Sequence, residues 1–459
     1  SWTDLAGNAG PEETTANYAI DTLLPTISSV TAGWGTFLNA TEDNSSGTVT
    51  VLTSGAENGQ TVTVALNGTN YTGTVSDNST SVTFAATGLQ ALTDGSSYTL
   101  TTNVSDAAGN AATVNTGTSF TYDITAPTIS GGVTITSATG IQNNFMNAGD
   151  VVSVTATFSE VVNTTGTPQL TLAVGSDNRT ATYASGTGSA PLVFQYTIQA
   201  GDNDTDGISI GANVLALNNG TISDPAGNNA TLTHSAVLAN TSYKVDTTAP
   251  TVDNFTLSDT ALKAGDNATV SLVFSEAVFG FASAADITDP SGTLAAMTSS
   301  DNITWTGTFT PTANTEEASN ALSLTTSWTD LAGNAGPAAT TLNYVVDTID
   351  PSVSSFTLSD TALKTGETAT VTLVFSEAVA SFASAADITV PNLDNGTTSG
   401  ALTAMTSSDN ITWAGTFTPT ANTEDASNTL SLATSWTDLA GNAGPEETTA
   451  NYAIDTLLP

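Results

Sequence analysis

The 459-residue sequence holds no cysteine, one histidine, and 4 Lys plus Arg residues against 43 Asp plus Glu. Each scarcity excludes something. Without Cys there is no disulfide, no thiolate metal site and no thiol nucleophile, so redox chemistry does not fix the compartment. A net charge of -39 leaves almost no cations to neutralise phosphates, which argues against nucleic acid and anionic membrane surfaces as partners. His234 lies in a Thr-rich stretch with no partnered Ser or Asp pattern, and the acidic residues recur at repeats rather than forming one cleft. These features predict a protein that is not an enzyme. No apolar run approaches the roughly 18 residues of a membrane-spanning helix, which predicts no membrane insertion within this window. Nor does any stretch show convincing helical amphipathicity.

What the chain does have is Thr, Ser, Gly, Asn and Val, arranged around one recurring pair of motifs. Asp330-Leu331-Ala332-Gly333-Asn334 is followed by Asp347-Thr348-Ile349-Asp350-Pro351, and the pair returns as Asp4 to Asn8 with Asp21 to Pro25, Asp106 to Asn110 with Asp123 to Pro127, Asp224 to Asn228 with Asp246 to Pro250, and Asp438 to Asn442 with Asp455 to Pro459. An Asp-x-x-Gly-Asn stretch suits a tight loop, because Gly accepts positive φ while Asp and Asn bond local backbone. The segment before each Asp-x-x-x-Pro reads as a last strand that the Pro terminates. This punctuation divides the chain into residues 1–25, an orphan last loop and strand of a preceding module, and four modules at 26–126, 127–249, 250–350 and 351–459. Residues 1–25 are identical to 435–459, whereas 327–351 differs from both at seven positions, which suggests a longer repeat and a window cut from something longer.

Within the modules, apolar residues alternate with Thr and Ser at the period of a half-buried strand. Val270, Leu272 and Phe274 share one face, as do Ile303, Trp305 and Phe309; further strands are expected at Thr61 to Leu66, Tyr71 to Val75 and Val151 to Phe158. About seven short strands per 100 residues, with turns every 8 to 12, is the pattern of an immunoglobulin-like sandwich. The predicted fold is all-β: tandem immunoglobulin-like β-sandwiches in an elongated rod.

On such a sandwich the acidic residues fall at one pole. Glu276 has the parity of Phe274 and continues its inward row past the core, the Asp330 loop is the F-to-G loop, and Asp246 lies on the entering linker. Three carboxylates and the Asn334 amide therefore converge where Lys and Arg are scarce, and oxygen-only ligands favour Ca²⁺. The same set recurs as Asp123, Glu160 and Asp224, and as Asp347, Glu377 and Asp438; the first module offers Asp21, Glu57 and Asp106. A plain reading, in which Asp caps the turn and Glu is a solvated strand end, competes at each site taken singly. Asp202, Asp204 and Asp206 open an Asp-x-Asp-x-Asp-Gly loop without the Glu at its twelfth position, which makes metal contact and an acidic turn equally good readings.

The Asp-x-x-Ala-Pro starts, Phe-Ser-Glu strand ends and Asp-x-Ala-Gly-Asn loops resemble bacterial immunoglobulin-like repeats, which occur as extender arrays of very large secreted adhesins, including RTX-type ones. The resemblance covers essentially the whole chain. It implies Ca²⁺-rigidified rods that hold a terminal ligand-binding domain away from the cell, with the family's junction carboxylates at Asp123, Asp246, Asp347, Glu160, Glu276, Glu377, Asp224, Asp330 and Asp438. The expected function is an extracellular, cell-surface spacer whose partners are the adjacent modules of its own chain. The alternative is a repeating subunit of an extracellular filament, sheath or surface layer, with residues 1–25 adding a strand to an identical chain.

Overall fold

A computed structural model describes residues 2–458, Thr118 by its backbone alone. The chain separates into two compact units, Ser1–Asp246 and Thr247–Pro459. Each holds two hydrophobic clusters: Val30 to Tyr122 and Val133 to Val245 in the first, Phe255 to Val346 and Phe356 to Ile454 in the second. We use "module" for the residues around each cluster.

In the third module, Val252–Leu257, Ala268–Phe274, Thr304–Pro311 and Gly292–Leu294 form an antiparallel sheet in that order. A second sheet places Tyr344–Asp347 between Ala261–Lys263, parallel to it, and Glu316–Asn320, antiparallel. The alternation expected along Ala268–Phe274 decides which residues enter the core: Val270, Leu272 and Phe274 are buried, while Thr269 is exposed. Trp328 lies 4.4 Å from Phe274 between ring centroids and is fully buried. The fourth module repeats this plan strand for strand, with Tyr452–Asp455 between Ala362–Lys364 and Glu424–Asn428.

The first unit varies the plan. Its first module pairs a sheet of Thr26–Ala32, Gly47–Ser54 and Ser79–Phe84 with a five-stranded sheet in which Thr61–Leu66 stands as expected and the neighbouring strand is Thr69–Thr74, two residues earlier than the sequence suggested. In the second, the strand expected at Val151 to Phe158 runs on to Thr165. A register irregularity after Thr157 lets it leave Ser189–Thr197 and pair with Thr221–Ser223, so one strand serves both parts of the sheet. The helices among the described residues are three short ones of four residues, at Ala86–Leu89, Ser283–Asp286 and Ser384–Asp387.

Candidate metal centre

The Asp-x-x-Gly-Asn loop organises itself. Asp438 Oδ1 accepts the N–H groups of Gly441 and Asn442 at 2.6 and 2.8 Å, and Asp438 Oδ2 accepts Asn442 Nδ2 at 2.8 Å. Gly441 holds φ at 98°, the left-handed conformation that glycine adopts without strain. Asp224 and Asp330 make the corresponding bonds to Asn228 and Asn334. So does Asp4 to Asn8, in an exposed segment with no core beneath it. The turn-capping reading is therefore correct for these Asp side chains, and it holds their oxygens in place.

The Asn amide then ties the loop to the linker and to the module before it. Asn228 Nδ2 also donates to Asp123 O at 2.8 Å, and its Oδ1 accepts Ala40 N–H at 3.0 Å. Asn442 Nδ2 donates to Asp347 O at 3.0 Å, and its Oδ1 accepts Ala264 N–H at 2.9 Å. Asn334 Nδ2 reaches Thr248 O at 3.3 Å.

The Phe-Ser-Glu strand end also does something that sequence reasoning did not find. Its Ser clamps the residue after the linker Pro: Ser376 N–H donates to Ser352 O at 2.8 Å and Ser376 Oγ accepts Ser352 N–H at 2.9 Å. Ser275 with Thr251, and Ser159 with Thr128, make the same pair of bonds. The chain is thus pinned just past the linker carboxylate, one residue from the Glu.

These ties bring together Asp123, Glu160 and Asp224, whose carboxylate oxygens lie within 4.8 Å of one another, and likewise Asp347, Glu377 and Asp438. Asp224 and Asp438 are buried, the other four half-buried. Burial, then the neighbouring carboxylates, holds Glu160 and Glu377 above the usual carboxylate range. Asp123 and Asp347 are raised for the same reasons, burial first. The ion pairs among the described residues, Arg179 with Asp177 and Asp202, Lys263 with Asp266 and Lys364 with Glu367, involve none of these six carboxylates. An all-oxygen set of three carboxylates, held by protein bonds on one side and short of a counter-charge on the other, fits a hard divalent cation such as Ca²⁺.

Glu276 and Asp330 stand in the second unit at the positions of Glu377 and Asp438; Asp246 ends the strand Lys244–Asp246 and is the last residue of the first unit. In the first module the segments bearing Asp21, Glu57 and Asp106 meet, but among the described residues their carboxylates do not gather as the two sets above do. Glu57 accepts Ala107 N–H at 2.8 Å, and the Asp21 carboxylate caps Leu23 N–H at 2.9 Å, leaving Asp106 to Asn110. The Asp202 loop is also taken up by protein donors. Asp202 accepts Arg179 Nε and Tyr196 Oη, both at 2.6 Å, and Asp204 accepts the N–H groups of Gly175 and Gly207 at 2.8 and 2.7 Å. His234 is likewise structural: Nε2 accepts Val214 N–H at 3.0 Å, which assigns the proton to Nδ1 facing Ser235 O at 2.9 Å.

The sequence reading missed Asp94 and Glu316, which add their charge to the two clusters. Asp94 accepts Ile124 N–H at 2.9 Å, and Glu316 pairs with Asp347 across the sheet. A signal existed: Glu316 precedes Asp347, and Glu424 precedes Asp455, by the same 31 residues.

Fold and site together define a class: tandem immunoglobulin-like sandwiches whose poles carry carboxylate clusters braced by Asn and Ser side chains. Residues 246–346 and 347–454 each match the bacterial Ig-like domain family. None of the curated proteins matches. Among solved structures, a Ca²⁺-stabilized adhesin of an Antarctic bacterium is 21% identical over 94% of this chain and 100% of that one, with a TM-score of 0.39. A tetra-tandem repeat from the extending region of a large adhesion protein is 17% identical over 93% and 99%, with a TM-score of 0.28. A bacterial immunoglobulin-like domain from the M. primoryensis ice-binding adhesin is 33% identical over 22% and 99%, with a TM-score of 0.18.

Proposed function

We propose that the chain is a non-catalytic, extracellular spacer of a cell-surface adhesin, stiffened by Ca²⁺ bound where one module meets the next. The observation that carries this reading is the recurrence of one constellation, linker Asp, strand-end Glu and loop Asp with the same Asn tie, at Asp123, Glu160, Asp224 and Asn228 and again at Asp347, Glu377, Asp438 and Asn442. Ca²⁺ takes 6 to 8 oxygen ligands, so three carboxylates leave room for water, and binding replaces repulsion with attraction among groups on separate segments. The repeat in sequence extends the same role to Asp246, Glu276 and Asp330. A site that joins linker, strand and loop resists bending between modules while leaving each core unchanged.

The chain's lack of Cys makes the test clean, since introduced thiols are the only ones. Spin labels at Thr308→Cys and Thr416→Cys, both exposed positions on strands of the third and fourth modules, report the spread of inter-module distances. The distribution should narrow with Ca²⁺ and broaden with chelator; identical distributions would remove the stiffening role.

A further inference from the structure

The final segments of the last three modules are each tied down by a buried side chain, and that of the second module differs in kind. In the third module Thr341 Oγ1 accepts Leu322 N–H at 3.0 Å, and in the fourth Thr449 Oγ1 accepts Leu430 N–H at 3.0 Å. Both threonines are buried. A threonine hydroxyl keeps its acceptor lone pairs at any ordinary pH, so these two ties are indifferent to acid.

In the second module the tie is His234, the one histidine of the chain, which is 8% exposed. Its Nε2 accepts Val214 N–H at 3.0 Å, so the ring is neutral and its proton sits on Nδ1. The backbone of the same residue is bonded to Asn213: His234 N–H donates to Asn213 Oδ1 at 2.9 Å, and His234 O accepts Asn213 N–H at 3.3 Å. The segment is fastened at one end by Thr231 N–H to Pro127 O, at 2.8 Å, and at the other by the paired bonds of Val237 with Ile210, at 2.8 and 2.9 Å. Between those ends, the hydrogen bonds that hold it to the rest of the module are, among the described residues, those of His234.

A second proton on the ring would go to Nε2, the atom that faces Val214 N–H. Two donors would then point at each other, and a buried cation would stand where nothing neutralises it. The cavity of about 430 Å³ beside the ring is open to solvent, so a proton can reach it. Its lining comes from residues 129–133, 213 and 233–236, and apart from the ring itself none of them ionises. A lost acceptor and an unpaired buried charge both favour release of the segment.

We propose that His234 is an acid-sensitive latch: on protonation it lets go of Val214, and residues 232–236 lift away, exposing Leu232, which packs against the core of the second module. The segments held by Thr341 and Thr449 stay closed. The latch does not rest on the calcium reading.

Hydrogen exchange read by mass spectrometry, corrected for the pH dependence of intrinsic exchange, tests this on the whole chain with Ca²⁺ held constant. Histidine side chains change charge between about pH 8 and about pH 5, so exchange is compared at those two ends. Protection of residues 231–237 should fall at least tenfold from the higher pH to the lower, while that of residues 338–343, held by Thr341, stays unchanged as the internal control. In His234→Gln the side-chain oxygen takes the place of Nε2 and does not titrate, so protection should be the same at both ends. Nitrogen magnetic resonance of the chain with isotope-labelled histidine sees a single ring. Its Nε2 should be unprotonated at the higher pH and take up its proton over the interval in which protection falls. If the variant does not fold, the ring signal and the internal control of the parent chain decide alone. Equal protection of residues 231–237 at both ends would overturn the proposal. So would an equal loss in His234→Gln or in residues 338–343, or an Nε2 that already carries a proton at the higher pH.

Discussion

Asn442 Oδ1 accepts the backbone N–H of Ala264 at 2.9 Å, although the two residues belong to different sandwiches. The same side chain holds Asp347 O at 3.0 Å and Asp438 Oδ2 at 2.8 Å. One amide therefore joins the preceding module, the linker and the Asp438 loop. A single buried amide can do this because Oδ1 and Nδ2 together offer two acceptor sites and two donors.

Asn442→Ala should uncouple the third and fourth modules. Each lost bond is worth about 1 kcal/mol net, so the change should destabilise the pair by roughly 1 to 3 kcal/mol. Denaturant unfolding of residues 247–459, monitored by Trp fluorescence, should then split into two transitions or broaden. A single transition at an unchanged midpoint would show that the amide contributes nothing to coupling.

Gly444→Ala tests the packing that seats the loop. A Cβ at Gly444 would lie 2.1 Å from the Trp436 ring, which is fully buried and has nowhere to move. Overpacking of this kind costs typically about 1 to 3 kcal/mol. Gly10→Ala is the control: its Cβ would meet Trp2 at 2.5 Å, but that ring is exposed and can swing aside. The first substitution should lower the unfolding midpoint and the second should leave it within error.

How much of this was legible in the sequence differs by residue. The alternation in Ala268–Phe274 gave the buried face directly, because strand period and core burial are the same geometric fact. The grouping of Asp347, Glu377 and Asp438 was legible from parity and loop order, since the Glu continues the inward row just past Phe375. The role of the Asn amide was half legible: Asn334 was expected to converge with the carboxylates, whereas its counterparts Asn228 and Asn442 also bond backbone of the linker and the preceding module. Ser376 as a clamp on Ser352 was invisible, because a backbone N–H leaves no mark on residue type. The bond from Ala107 N–H to the Glu57 carboxylate was invisible for the same reason.

The clusters predict an unusual pH response for the metal-free chain. Glu377 and Asp347 titrate above their ordinary values of 4.5 and 3.8, through burial first and neighbouring carboxylates second. A raised folded-state pKa means the native state binds the proton more tightly than the unfolded state. The contribution is therefore full below the ordinary values and is lost as pH rises through the raised ones. In chelator, the thermal midpoint of residues 247–459 should fall as pH is raised from about 4 through the raised values, and Glu377→Gln should flatten that slope. A midpoint that climbs over this interval, with no change on Glu377→Gln, would contradict the cluster's electrostatics.

The most direct measurement is a calorimetric Ca²⁺ titration of the whole chain beside Glu160→Gln, Glu377→Gln and the double variant. Each substitution keeps the shape of the side chain and removes one of three negative charges, so each should delete one site and the double variant two, with the β-sheet circular dichroism unchanged. Unaltered stoichiometry in the double variant, or no Ca²⁺ binding by the parent chain, would contradict the assignment of Asp123, Glu160 and Asp224 and of Asp347, Glu377 and Asp438 as calcium sites.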